Sequence, residues 1–250
     1  MMTTESRTVT SNDGTRIAYS VVGSGPALVL VDGALCSRAF GPLGALADEL
    51  ADRFTVVTYD RRGRNESGDA GAYDPSKETA DLAAVIEAAG GSVSLYGISS
   101  GAVLVLRSIP QLSGVRAAVI YEPPVMVEGH GIPVDYVSRL TTLVSEGKNS
   151  EALDLFNTEI IGLPAEYLAP MKDMPMWPIM EATAPTLVYD SLIMGGSSNG
   201  ALDDGLIAAL ASITIPVLVV DGDASMSMMR SGADAIAAHL PNAERLTLPV

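Results

Sequence analysis

The sequence predicts an α/β fold, with a mostly parallel, doubly wound sheet, helices on both sides and one inserted helical lid. Three observations point to it. Short apolar, β-branched runs alternate with segments of helical periodicity along most of the chain, the pattern left by βαβ units. The alternation breaks once, from about Val125 to Thr214, and then resumes. A chain of 250 residues with 48% hydrophobic and only 18% charged side chains is long and apolar enough to bury one large core.

Taken in order, Thr15 to Val22 and Ala27 to Val31 read as strands joined by Gly23-Ser24-Gly25-Pro26, residues that suit a tight turn. A dinucleotide-binding loop is excluded there, because no third glycine follows and the next segment is β-rich, not helical. Leu43, Leu46, Ala47 and Leu50 recur at helical spacing, and Phe54 to Tyr59 is the next strand. Asp74 followed by Pro75 starts a helix with Leu82, Val85, Ile86 and Ala89 on one face, closed by Gly90-Gly91. Val93 to Tyr96 and Ala117 to Tyr121 continue the strands, with a helix between them. Pro216 to Val220, a helix around Met228 to Leu240 and a last strand at Arg245 to Leu248 complete the pattern. The interruption reads as mostly helical, with Tyr136, Leu140, Leu143, Leu153, Leu155 and Phe156 at roughly helical spacings. It also carries a methionine-rich stretch, Met171, Met174, Met176 and Met180 around Trp177, which reads either as packing of the lid on the core or as a flexible wall for an apolar substrate. The expected division is therefore a core of residues 1–124 with 215–250 and a lid of residues 125–214.

Composition narrows the function. Fifteen Lys and Arg against 30 Asp and Glu give a net charge of −15, which repels phosphate backbones and anionic lipid surfaces. No nucleic-acid or membrane partner is expected. Cys36, the single cysteine, forms no intrachain disulfide, and no His, Cys or carboxylate cluster has ligand spacing, so neither a metal nor an organic cofactor is implied. The first residues lack the apolar stretch of a signal peptide, and no window approaches 18 uninterrupted apolar residues. The expectation is a soluble cytoplasmic protein acting on a small molecule; its oligomeric state is open.

The chemistry is concentrated at Tyr96-Gly97-Ile98-Ser99-Ser100-Gly101, a G-x-S-x-G pattern between a strand and a helix. A serine held in so sharp a turn needs small residues at its flanks, because larger ones clash with the adjacent strand and helix, and Gly97 and Gly101 supply them. Ser99 is the candidate nucleophile. The backbone amide of Ser100, at the helix start, is aimed at an oxygen beside it, which is half of an oxyanion hole.

With Asp32-Gly33 after the strand ending at Val31, and Asp60-Arg61-Arg62-Gly63-Arg64-Asn65-Glu66-Ser67 after the next, the chain resembles the α/β-hydrolase family, in its small capped esterase and cofactor-free haloperoxidase-like branch. The resemblance implies an α/β-hydrolase fold and a second oxyanion donor at the amide of Ala34. Asn65 replaces a glycine and can hold a left-handed conformation. Arg61, Arg62 and Arg64 read as structural partners of Asp60, Glu66 or Asp69. Asp32, where the family usually has a histidine, is expected with Leu35, Trp177 and Met180 at the substrate.

Two departures bear on the mechanism. The family's usual acid position is occupied by Ser225, so the acid is either Asp223 in the same loop or Glu122 after the strand ending at Tyr121. The family's histidine follows the last strand, which here ends near Val250. The chain's own histidines are His130, between two glycines at the lid entrance, and His239, on a helix beside Ile236 and Leu240. Without a base, a serine hydroxyl is a weak nucleophile. Little esterase activity from these 250 residues is therefore expected, with apolar surface exposed beside the last strand. The reading is a serine hydrolase acting on a small, largely apolar ester, lactone or related acyl compound. The alternative is a non-hydrolytic protein on the same scaffold, either a ligand-binding protein or a cofactor-free enzyme of specialised metabolism.

Overall fold

A computed structural model describes residues 5–125, 132–195 and 202–249. Its strands are β1 (Arg7–Thr10), β2 (Arg16–Gly23), β3 (Ala27–Val31), β4 (Thr55–Tyr59), β5 (Val93–Ile98), β6 (Val115–Tyr121), β7 (Val217–Gly222) and β8 (Ala243–Leu248). They form one sheet in the order β1-β2-β4-β3-β5-β6-β7-β8. Only β2 runs against its neighbours, pairing antiparallel with β1 and β4, and every other pair is parallel. The sequence reading did not include β1. Its four residues are mostly exposed, and only the register that sets Val9 against Ile17 makes them a strand.

The helices that cover the sheet are α1 (Leu43–Leu50), α2 (Pro75–Ala88) and α3 (Ser100–Ser108). Between β6 and β7 the chain adds α4 (Tyr136–Ser145), α5 (Asn149–Glu159), α6 (Leu168–Lys172), α7 (Trp177–Thr183), α8 (Leu187–Ile193) and α9 (Asp204–Ser212), and α10 (Ser227–His239) precedes β8. At the start of α2 the carboxylate of Asp74 accepts from the Ser76 amide, and Pro75 occupies the first turn, so the cap expected from Asp-Pro is present. Asn65 has φ +44°, the left-handed turn that its place in the motif required.

The main core lies around β3, β5 and α3. Ala102 through Leu106 are all buried, which explains why α3 is apolar on every side and not on a single stripe. A second core is internal to the insertion, where Tyr136, Leu140, Leu153, Trp177 and Leu187 pack together with Leu35 from the loop after β3. α9 does not belong to that second core: Leu206 and Leu210 enter the main one, as does Ile193 at the end of α8, whose Leu187 sits in the second. Within the last strand, β8, Leu246 and Leu248 are 42% and 38% exposed. Among the described residues no helix is long and apolar enough to cross a membrane.

Candidate active site

Ser99 sits between the end of β5 and the first residue of α3 at φ +55°, ψ −127°. L-residues avoid that region, so the surroundings must hold it there. Its N–H donates to the Tyr121 carbonyl of the adjacent strand at 3.0 Å, and its own carbonyl accepts from the Ala102 amide at 2.9 Å. The flanking glycines have a measurable reason. A methyl on Gly101 would stand 2.4 Å from the Asp32 carbonyl oxygen, and one on Gly97 2.7 Å from the Ala102 Cα. Both distances are well inside contact, so only glycine lets α3 close onto β5 and the end of β3.

That close approach brings the loop after β3 alongside the serine. A methyl on Gly33 would be 3.0 Å from the Ser99 Cβ, and Ala34, Ser99 and Ser100 line one cavity. The N–H of Ser100 is in the first turn of α3 and has no carbonyl one turn earlier to bond. The cavity is narrow, ≈ 70 Å³, and largely apolar. The insertion contributes Ile132, Tyr136, Phe156, Ile160 and Ile161 to its wall; Met194, Met226, Met228 and Met229 form another side; Asp190 and Ser191 of α8 add polar groups.

The expected substrate contacts are placed elsewhere. Leu35, Trp177 and Met180 pack into the insertion's own core and do not line this cavity. Asp32 does not line it either, being 3% exposed below the loop with its Oδ1 accepting from the Gly33 amide at 3.0 Å. Burial pushes the Asp32 carboxyl up to about 6 and the neighbouring Cys36 thiol up to about 12. Methionines do line the cavity, but Met226, Met228 and Met229 come from the turn into α10 and its first residues, far along the chain from the Met171 to Met180 stretch.

The arginines also differ from expectation. Asp60 and Glu66 are taken by Arg38, at 3.0 and 2.5 Å. Arg62 pairs with Asp81 and Asp13; Arg61 pairs with Glu78 and Asp190; Arg64 pairs with Asp190. Arg61, Arg62 and Arg64 are buried, and a buried guanidinium needs a carboxylate at its own depth, which α2 and α8 supply. Asp190, which lines the cavity, is a candidate-site residue that the sequence does not single out; its signal is a carboxylate within the mostly apolar segment Leu187 to Ile193. Burial alone would raise its pKa, but Arg64 and Arg61 outweigh burial and hold the carboxyl below the ordinary value.

Of the two candidate acids, Glu122 follows β6 at φ +48° and its Oε1 accepts a short hydrogen bond from the Ser225 hydroxyl. Ser225 in turn accepts from the Gly222 amide at 2.9 Å. Asp223 holds the end of the sheet through its amide, which donates to the Leu248 carbonyl at 2.9 Å. His239 is exposed on α10 with Nδ1 2.8 Å from the Ala235 carbonyl. His130 lies outside the described residues.

Residues 25–249 match the model of the alpha/beta hydrolase family. A solved alpha/beta hydrolase from Sphaerobacter thermophilus is 44% identical, with a TM-score of 0.87 over 96% of this chain and 91% of that one. An esterase from Rhodococcus sp. ECU1013 (22% identity, TM-score 0.65, 98% and 90% covered) and an enol-lactonase from Burkholderia xenovorans LB400 (17%, 0.71, 97% and 91%) share the fold. An uncharacterized hydrolase of Bacillus subtilis, YraK, is 29% identical over 149 residues, 58% of this chain; the match spans 54% of that protein, about half its length.

Proposed function

The chain belongs to the alpha/beta hydrolase family, and we propose that it is a serine hydrolase whose nucleophile is Ser99 and whose substrate is a small, largely apolar ester, lactone or related acyl compound. The observation that supports this best is the coincidence at one apolar cavity of a strained serine with Ala34 and Ser100, the residues from which the oxyanion donors would come. In this reading the Ser99 oxygen attacks the acyl carbon and its proton passes to an imidazole. The former carbonyl oxygen becomes an oxyanion facing the amides of Ala34 and Ser100. Collapse expels the alcohol, which takes the proton back, and water then releases the acid by the same steps in reverse order.

Glu122 is the acid of this proposal. Ser225 stands where the family usually carries its carboxylate and holds the Glu122 carboxylate in place. His239, on the α10 surface, is not the imidazole. His130→Ala abolishes ester turnover if His130 supplies it; turnover that survives the change would overturn the triad, since His239 is the chain's other histidine.

The wall of the cavity supports this substrate class. At ≈ 70 Å³ it is far smaller than the ~300–1,000 Å³ of ordinary ligand pockets, so side chains must move when substrate enters. Met194, Met226, Met228 and Met229 are unbranched thioethers suited to that adjustment. A fluorophosphonate ester probe tests the reading, since the Ser99 oxygen would displace fluoride and form a stable P–O bond. The parent protein should be labelled and Ser99→Ala should not. Equal labelling of both refutes the assignment of Ser99. An unlabelled parent that still binds an apolar ester would establish the non-hydrolytic alternative.

A further inference from the structure

We propose that Asp190, carried by α8 of the insertion, is a positioning residue that keeps both halves of the oxyanion hole aligned, so that the hole is complete only when the insertion is docked. The inference rests on the serine hydrolase reading. Asp190 is 4% exposed and accepts from the Ser100 hydroxyl at 2.7 Å, from Arg61 Nη1 at 2.8 Å and from Arg64 Nη2 at 2.8 and 3.0 Å. One carboxylate thus binds the residue whose amide forms one half of the hole and the two arginines that reach the other half.

The second half is held through its peptide planes. Arg64 Nη1 donates to the carbonyls of Gly33 and Cys36, and Arg61 Nη1 donates to the carbonyl of Asp32 at 3.2 Å. The Gly33 carbonyl and the Ala34 N–H belong to the same planar, trans peptide and point in opposite directions. Fixing the carbonyl on Arg64 therefore aims the Ala34 N–H away from the arginine. On the first half, the Ser100 side chain is held between Arg61 and Asp190, which ties the first turn of α3 to α8.

Docking of α8 has a separate support. Tyr189 stacks on Tyr73 with ring centroids 3.9 Å apart, and its hydroxyl donates to Asp69. Glu78 pairs with Arg61 from its other side, whereas Arg64 reaches its carboxylate across the interface, on α8. A residue that merely anchors the insertion would alter how tightly a ligand is held. A residue that aims oxyanion donors alters the rate of the step that places charge on that oxygen.

The test measures labelling of Ser99 by a fluorophosphonate ester over a range of probe concentrations, which separates the saturating rate from the half-saturating concentration. Asp190→Asn keeps the shape and removes the charge. Its saturating rate should fall about 100-fold, the scale of a small misplacement of reacting groups, with the half-saturating concentration within about threefold of the parent. Ser100→Ala keeps its amide and all four charged groups, and should lose about tenfold in the same rate. The double variant should be no slower than Asp190→Asn, because both changes break one chain of contacts. A folded Asp190→Asn that reaches the parental saturating rate overturns the proposal, as does a loss confined to the half-saturating concentration. If Asp190→Asn fails to fold, Ser100→Ala decides alone, and an unchanged rate overturns it. Failure of the parent itself to label is distinguishable from these outcomes and refutes the serine hydrolase reading, and the proposal with it.

Discussion

Replacing Asp32 by Asn isolates a cost built into the loop beside the nucleophile. Asp32 is 3% exposed, and burial, opposed by the Gly33 amide and by Arg64 and Arg61, raises its carboxyl from the ordinary 3.8 to about 6. A carboxyl with a higher pKa folded than unfolded binds more protons in the folded state between the two values. Its contribution to stability is therefore full below about pH 4 and is lost as the pH rises through about 6. At ~1.4 kcal/mol per pH unit, the interval from 3.8 to about 6 amounts to a loss of ~3 kcal/mol. Asparagine keeps an oxygen for the Gly33 amide and has no proton to lose in this range. Denaturant unfolding of the parent and of Asp32→Asn, each between about pH 4 and pH 7, gives the difference between them, in which the other carboxylates cancel. That difference should move by ~2 kcal/mol in favour of Asn from the lower pH to the higher, since part of the full ~3 kcal/mol is already lost at pH 4. A difference that stays flat, or moves the other way, would mean that the two arginines outweigh burial and that Asp32 is an ordinary paired carboxylate.

Gly101→Ala should destabilise the fold by ~3 kcal/mol, since its methyl would stand 2.4 Å from the Asp32 carbonyl oxygen; an unchanged melting temperature would refute the close-packing account of the elbow. Trp177→Ala should cost ~3–5 kcal/mol in thermal or denaturant unfolding as a deletion in the second core, while the half-saturating concentration of the fluorophosphonate probe stays near the parental value, because Trp177 does not line the cavity. A large loss of probe affinity with little loss of stability would restore it to the substrate wall. In a form of the protein that carries its triad histidine, ester turnover should fall about 10⁴-fold in Glu122→Gln and only a few-fold in Asp223→Asn. The reverse pattern would assign the acid to Asp223.

The parts of the molecule legible in the sequence are those governed by local chemistry. The order of strands and helices followed from periodicity, because burial of a strand or helix face imposes its spacing on neighbouring residues wherever the segment ends up. The turn at Asn65 and the elbow at Ser99 were legible for a similar reason: a left-handed or strained backbone restricts the residue at the turn itself and the size of its immediate flanks. The misreadings all concern partners distant in sequence. Arg61, Arg62 and Arg64 were assigned to acids a few residues away, yet Arg64 finds Asp190 at a separation of 126 residues. Composition leaves Trp177 and the methionines open to either packing or a pocket wall, and tertiary packing puts Trp177 in the insertion's core and Met226, Met228 and Met229 at the cavity. Composition shows that a chain carries three buried arginines or a supply of thioethers, but a charge is satisfied, and a cavity lined, by whatever lies within a few ångströms in space. Only the tertiary packing decided which residues those are, bringing Glu78 and Asp81 of α2, Asp190 of α8 and the methionines at the start of α10 into place.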